Sequence, residues 1–495
     1  MATASSSDAP IADDSKPAWT QPAGIAVLGA IAAGLSVLIT QNPKLGILAT
    51  VAIPGSALLL RSGASAAFFV FLVVLNIPAV AANFHGVPKT VAAGIIGFLL
   101  VPVFRKVVLE KQSLRFPRIT IVMALFQLIQ FPGVLVAIRP DTSVSYAVTS
   151  LFEGFLMFLL FVNAVRTESE LRICVIGAFL AGAFMSLPTI HQSMKKAYFR
   201  NYGGFAQMGD QEHLAEHFEQ GKSLRHAGPL GEKNRFAQVL LLAAPFVLAF
   251  FAPGQRKWLP VALVMLLLTL VAFTLTRSRG GVLAIGSMLI ALTIVRRIPI
   301  RHLVMLALFA APGVALLGAD YLDRVGSIVD VAINASSGSV RNSDSAVRGR
   351  LNEMGAAVLV FLDHPVTGVG PAMFQYHYRD YAGLIGLHVH NEDRKAHCTY
   401  LQIAAENGIF GLILFLVICS RTFTALWRSI RTTECERLSW LLTAVFVSYV
   451  GYLTGSILLS FTFVRYFWLI LAISWVAIDL AEASNRKPIT TQATT

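Results

Sequence analysis

Residues 347–411 read VRGRLNEMGAAVLVFLDHPVTGVGPAMFQYHYRDYAGLIGLHVHNEDRKAHCTYLQIAAENGIFG, and this stretch decides the fold. It is the longest polar interval between hydrophobic segments, and it runs directly into an apolar segment that starts at Tyr400. Val347, Leu351, Met354, Val358, Phe361 and Leu362 recur at helical spacing, with Arg348, Arg350, Asn352 and Glu353 grouped at the polar beginning. That pattern predicts an amphipathic helix against a membrane surface or on a helix bundle. DHPVTGVGP (363–371) ends it with Pro365, Gly368 and Gly370, and glycines so placed read first as a tight turn. FQYHYRDY (374–381) interleaves aromatics and charges, which suits either sugar stacking or a place at the membrane interface.

The rest of the chain reads as membrane scaffold. Of 495 residues, 55% are hydrophobic and 14% charged, whereas soluble domains carry about 25% charged residues. Apolar runs fall at 23–40, 44–61, 64–82, 86–104, 118–138, 144–165, 170–188, 236–252, 258–276, 280–296, 301–318, 400–420, 440–458 and 462–480. The expected fold is all-α, a polytopic membrane helix bundle of about 12–14 transmembrane helices with two long exported loops. The boundaries are a disordered cytoplasmic tail (1–22), an N-terminal bundle (23–188), a first exported loop (189–235), central helices (236–318), a large loop (319–399), C-terminal helices (400–481) and a tail (482–495). The N-terminal tail is polar and lacks the basic region and cleavage site of a signal peptide, so the first helix reads as an uncleaved anchor.

Basic loops set the orientation. Residues 104–118 hold five Lys/Arg, 296–301 three and 421–437 four. With an even number of spans all three lie on the cytoplasmic side with both termini, which places the two long loops in the periplasm. Each exported loop holds seven basic residues. Long loops cross regardless of charge, and basic ones suit an anionic ligand such as a lipid phosphate or pyrophosphate, or simply anionic headgroups. The net charge of +13 is therefore assigned to membrane sides, and no nucleic-acid partner is expected. Within the spans the polar residues are sparse: Asn76, Gln127, Gln130, Glu153, Asn163 and Arg465. A carrier normally has more intramembrane charge. Of Cys174, Cys398, Cys419 and Cys435 only Cys398 falls in a long polar loop, so neither a loop disulfide nor a CxxC site is available.

Three stretches could carry chemistry. His388, His390 and His397 with Glu392 and Asp393 do not match a recurrent metal spacing, so no metal or cofactor is expected. His397 stands three residues before Tyr400, at the mouth of a helix, where it can take a proton near neutral pH or simply cap the helix. SLRHAGPLGEKNRFAQ (223–238) brings Arg225, Gly228, Gly231, Asn234 and Arg235 to a helix start, an arrangement able to hold an anion. TRSRGG (276–281) packs two arginines into a tight turn, which calls for a phosphate or a neighbouring carboxylate.

Together these stretches resemble the O-antigen ligase and O-antigen polymerase family of bacterial envelope glycan assembly. The resemblance rests on Arg350, the His364–Gly370 turn, and His397, Tyr400, Leu401, Gln402, Glu406, Gly408 and Gly411. Arg225, Gly228, Asn234, Phe236 and Ala237 add to it, as does the Ser278-Arg279-Gly280 turn. It implies an inner-membrane enzyme that moves a glycan from an undecaprenyl-pyrophosphate donor to an acceptor hydroxyl on a lipid or glycan, by metal-independent inversion. His397 would be the catalytic base. Arg225, Arg279 and Arg350 would bind the diphosphate, with Tyr400 and Gln402 also contacting substrate. One departure is Cys398, where the family often has Asn; another is the span count, above the usual dozen or so. Ligation and polymerisation remain equally open. The alternatives are a transporter or flippase of lipid-linked glycans and a non-catalytic scaffold.

Overall fold

The computed structural model describes residues 62–88, 94–209, 214–219, 224–299, 301, 345–386, 393–461 and 464–486. The expected spans 23–40 and 44–61 and all but the first residue of 301–318 lie outside the described residues, as do His388, His390 and Glu392. The described chain is helical. In order it forms α1 (Ser62–Val74), α2 (Ile77–His85), α3 (Gly97–Phe104), α4 (Thr120–Leu128), α5 (Gln130–Leu135), α6 (Pro140–Thr149), α7 (Met157–Ala164) and α8 (Glu168–Met194). A two-stranded antiparallel ribbon, β1 (Gln207–Met208) with β2 (His226–Gly228), flanks the short α9 (Leu214–Glu219). Then come α10 (Lys233–Ala243), α11 (Leu259–Thr276), α12 (Arg279–Arg296), α13 (Ser345–Asp363), α14 (Phe374–Ile385), α15 (Thr399–Thr432), α16 (Glu436–Gly455) and α17 (Val464–Arg486).

Eight helices among the described residues are long and apolar enough to cross a membrane, and a ninth is possible if the bent α1–α2 pair is one span. This makes the protein a polytopic membrane bundle. The number is lower than the fourteen apolar runs, and not only because three of them lie wholly or almost wholly outside the described residues. The run at 64–82 bends by 55°, where Asn76 takes a left-handed conformation and Pro78 enters the next turn. The run at 86–104 contains Pro102 and gives way to a π-helical segment, Arg105–Leu109. The run at 118–138 gives a shorter apolar helix, Thr120–Leu135.

The bundle is organised around α17. Tyr466 through Ile473 are buried on all sides, as expected for a helix apolar around its whole circumference. Trp468 packs against Gly154, where a Cβ would come within 2.6 Å of the indole nitrogen. Here Ser150–Leu156 joins α6 to α7 as a π-helical segment. Glu153, in that segment, pairs with Arg465 at 3.3 Å, so the only carboxylate noted among the intramembrane polar residues meets its opposite charge. Thr167 caps α8 with a reciprocal capping box to Glu170.

A second, smaller core lies in the large loop. Ala356, Ala357, Val360, Val369, Met373, Phe374, Tyr378 and Ala382 pack with Ala137, Ala396 and Ala405. The described part of the loop is thus a folded cap, with α13 and α14 side by side against α15.

Candidate functional site

The cap is locked onto α15 where that helix breaks. Gly408 takes φ 64 and ψ −167 inside the helix, a conformation open in practice only to glycine. The broken helix offers the carbonyls of Ala405 and Glu406, which accept from the backbone of Val369 and Gly370, each at 3.0 Å. Ile409 donates back to the Pro365 carbonyl at 2.7 Å. The His364–Gly370 turn therefore replaces the helical bonds lost at the break. Glu406 is buried beside it and accepts from the backbone of Ala372 and Phe374. The Gly-x-Gly of this turn and the Glu-x-Gly of the helix form a single interlock.

Next to this interlock stand the residues expected to touch substrate. Gln402 donates to Glu406 at 3.0 Å and accepts from the backbone of Phe461 at 2.7 Å. Tyr400 gives its hydroxyl to the Leu453 carbonyl at 3.1 Å. Thr399 does the same to Leu459 at 2.7 Å. These three tie α15 to the end of α16, and the Tyr400 hydroxyl and the Gln402 amide are engaged within the fold.

His397 sits just before α15 with φ 48, and 27% of its side chain remains accessible. Its Nε2 lies 3.7 Å from Glu353 Oε2, on α13. Its Nδ1 is buried with no hydrogen-bond partner among the described residues. Burial first, and then the positive charges of Arg350, Arg394, Lys395 and Arg235, push the imidazole down to about 3. Burial pushes Glu353 the other way, up to about 7, against the pull of Arg394 and Arg350. The imidazole is therefore neutral and ringed by cations.

The shorter loop and the tight turn meet on one amide. Arg225 donates to Asn234 Oδ1 at 3.0 Å and to the Thr276 carbonyl at 2.9 Å. Ser278 Oγ lies 3.2 Å from the same Asn234 oxygen and also caps α12 by accepting from Gly281. Glu232 caps α10, accepting from Asn234 and Arg235. Arg235 donates to Gln238 at 2.6 Å and to the Ser460 carbonyl. Between α10, α12 and α16 lies a small cleft. Asn234, Gln238, Ser278, Gly280, Gly281 and Arg350 form its polar and glycine walls, and Leu241, Ala284, Leu458 and Leu459 its apolar part. Arg279 is half-buried at the first turn of α12, between two of these wall residues.

Three stretches far apart in sequence thus share one cleft, and residues 262–416 match the family model described as O-antigen ligase. The chain carries an O-antigen ligase domain. The match covers less than a third of the chain, which is a multi-pass membrane protein. No curated protein matches the chain. The O-antigen ligase domain contains Arg279, Arg350, His397, Tyr400 and Gln402, whereas Arg225 lies ahead of it and joins through Asn234 and Thr276. Sequence reading did not single out Glu353, Arg394 or Lys395 for the site. Only the spacing of Glu353, three residues after Arg350 on one helix, gave a signal, since it puts the two side chains on neighbouring turns.

Proposed function

We propose that this protein moves a glycan from an undecaprenyl-pyrophosphate donor to an acceptor hydroxyl on a lipid or on a growing glycan. The observation that carries this reading is the shared cleft, where Asn234, Ser278 and Arg350 meet from three separate stretches, with the Arg350 charge also acting on His397. Arg225, Arg279 and Arg350 hold the diphosphate. Guanidinium groups suit it because their planar donors match phosphate oxygens and balance the charge that grows on the leaving group. His397 accepts the acceptor's proton. The hydroxyl oxygen attacks the anomeric carbon as the bond to the pyrophosphate breaks, and the configuration inverts in one displacement. The apolar part of the cleft suits the polyprenyl chain where it enters the bilayer.

The site faces the periplasm in this reading, with both termini in the cytoplasm. Support comes from the opposite end of the bundle, where Lys106, Arg256 and Arg296 make contacts with Glu170, Glu436 and Trp440. Those residues belong to or adjoin the short basic loops that favour the cytoplasmic side.

The test is transfer by purified protein in liposomes, given an undecaprenyl-pyrophosphate-linked glycan with and without candidate acceptors. A ladder of products without added acceptor identifies a polymerase. A single shifted acceptor band identifies a ligase. Movement of the glycan between leaflets with no transfer would overturn the reading.

A further inference from the structure

We propose that Glu353 is the positioning residue of His397: its carboxylate holds the imidazole and offsets the surrounding cations, so that His397 can keep the acceptor's proton. The inference rests on the reading of His397 as the base.

Glu353 is 3% exposed. A carboxylate so deeply buried is costly unless something nearby matches it. Arg394 and Arg350 pull it toward its charged form, and the His397 ring nitrogen lies 3.7 Å away. Four cations face the pair from three elements: Arg350 from α13, Arg394 and Lys395 from the segment ahead of α15, and Arg235 from α10. An imidazolium formed there would meet like charge on every side. A base that cannot hold a proton does no work, so the site needs an anion next to the ring. Glu353 supplies one, on the nitrogen side. His397 has a left-handed backbone, uncommon for residues other than glycine although histidine adopts it more often than most. Arg350 lines the cleft one turn away on the same helix, so α13 presents a guanidinium to the leaving group and a carboxylate to the base.

The proton balance follows. The acceptor hydroxyl gives its proton to the His397 imidazole while its oxygen bonds to the anomeric carbon. The electron pair of the breaking bond leaves with the diphosphate. The ionised Glu353 then faces the imidazolium. Below about pH 7 burial keeps Glu353 protonated, and the offset is lost. The rate should therefore rise with pH through neutrality as Glu353 ionises.

The experiment compares wild type, E353Q and E353D, each as full-length protein in liposomes, using an undecaprenyl-pyrophosphate oligosaccharide and following transfer from pH 5.5 to 8.5. E353Q should stay at the low acid-side rate, at least about tenfold below the wild-type plateau and without the rise near neutrality, with donor KM within about threefold. E353D, which restores the charge at shorter reach, should recover the rise with a reduced kcat. An unchanged kcat and pH profile in E353Q, or a raised KM with kcat intact, would overturn the proposal. If E353Q does not insert, E353D decides alone: wild-type kcat overturns it, and a lowered kcat with the rise retained supports it. A second readout is independent of transfer. NMR of ring-labelled histidine in nanodiscs, with inorganic pyrophosphate added, should show His397 titrating at higher pH in wild type than in E353Q or, if E353Q does not insert, than in E353D. Equal midpoints would overturn the proposal even if wild type transfers nothing, an outcome that would separately remove the transferase reading.

Discussion

Arg225 and Asn234 are joined at 3.0 Å, and Ser278 Oγ lies 3.2 Å from the same Asn234 oxygen. One amide thus fixes an arginine of the first loop against the turn that carries Arg279. Asn234→Ala should remove one contact from Arg225 and one from Ser278 together. A hydrogen bond to a charged group contributes about 1.5–3 kcal/mol, so donor KM should rise roughly 10- to 100-fold. Transfer kinetics on the reconstituted variant check this, with unchanged insertion as the control.

Arg279→Ala should weaken donor use. Arg279→Lys should restore only part of it, because an ammonium supplies charge without the planar fork. The measurement is kcat/KM for donor in the three proteins, and full rescue by lysine would show that charge alone suffices.

The interlock at the α15 break makes a stability prediction. A Cβ on Gly408 would lie 2.2 Å from the Val366 carbonyl oxygen. Gly408→Ala should cost at least about 2–3 kcal/mol from the backbone conformation, more with the clash. The cap should loosen, seen as a lower melting temperature and faster proteolysis of 364–398. Gly383→Ala is the matched control, since its Cβ would meet nothing within 4 Å and lies in a helix. It should be neutral or stabilising by up to about 1 kcal/mol.

Acid should open the first loop. His226, 3% exposed in the ribbon, meets Gln192 at 2.9 Å. Burial, helped by Arg277, pushes it down to about 4. Between that value and the ordinary histidine value the unfolded chain binds a proton that the folded chain does not, so stability rises with pH across this window. It is complete above about pH 6.5 and is lost as pH falls toward 4. Melting at pH 7.5 and pH 5 should therefore differ, and His226→Gln should shrink the difference.

The bundle was legible because apolar runs of span length are hard to mistake. The helix count extends beyond the described residues, and within them hydropathy does not register the bend at Asn76 or the interruption at Pro102. The Thr-Gly-Val-Gly turn was legible as a turn, but its docking on the break at Gly408 joins residues some forty positions apart and has no local signature. His397 and the three arginines stood out by type and position. Glu353 did not, because a carboxylate at the polar start of an amphipathic helix reads as solvated until the cap buries it. Tyr400 and Gln402 followed the same motif as His397, yet their contacts with α16 belong to tertiary packing and leave no trace in sequence.

The most direct test of the account is transfer from an undecaprenyl-pyrophosphate-linked glycan by wild type and His397→Ala, inserted equally in liposomes. The account predicts product with wild type and none with the variant, while the variant still binds the donor. Transfer by His397→Ala at the wild-type rate would contradict it.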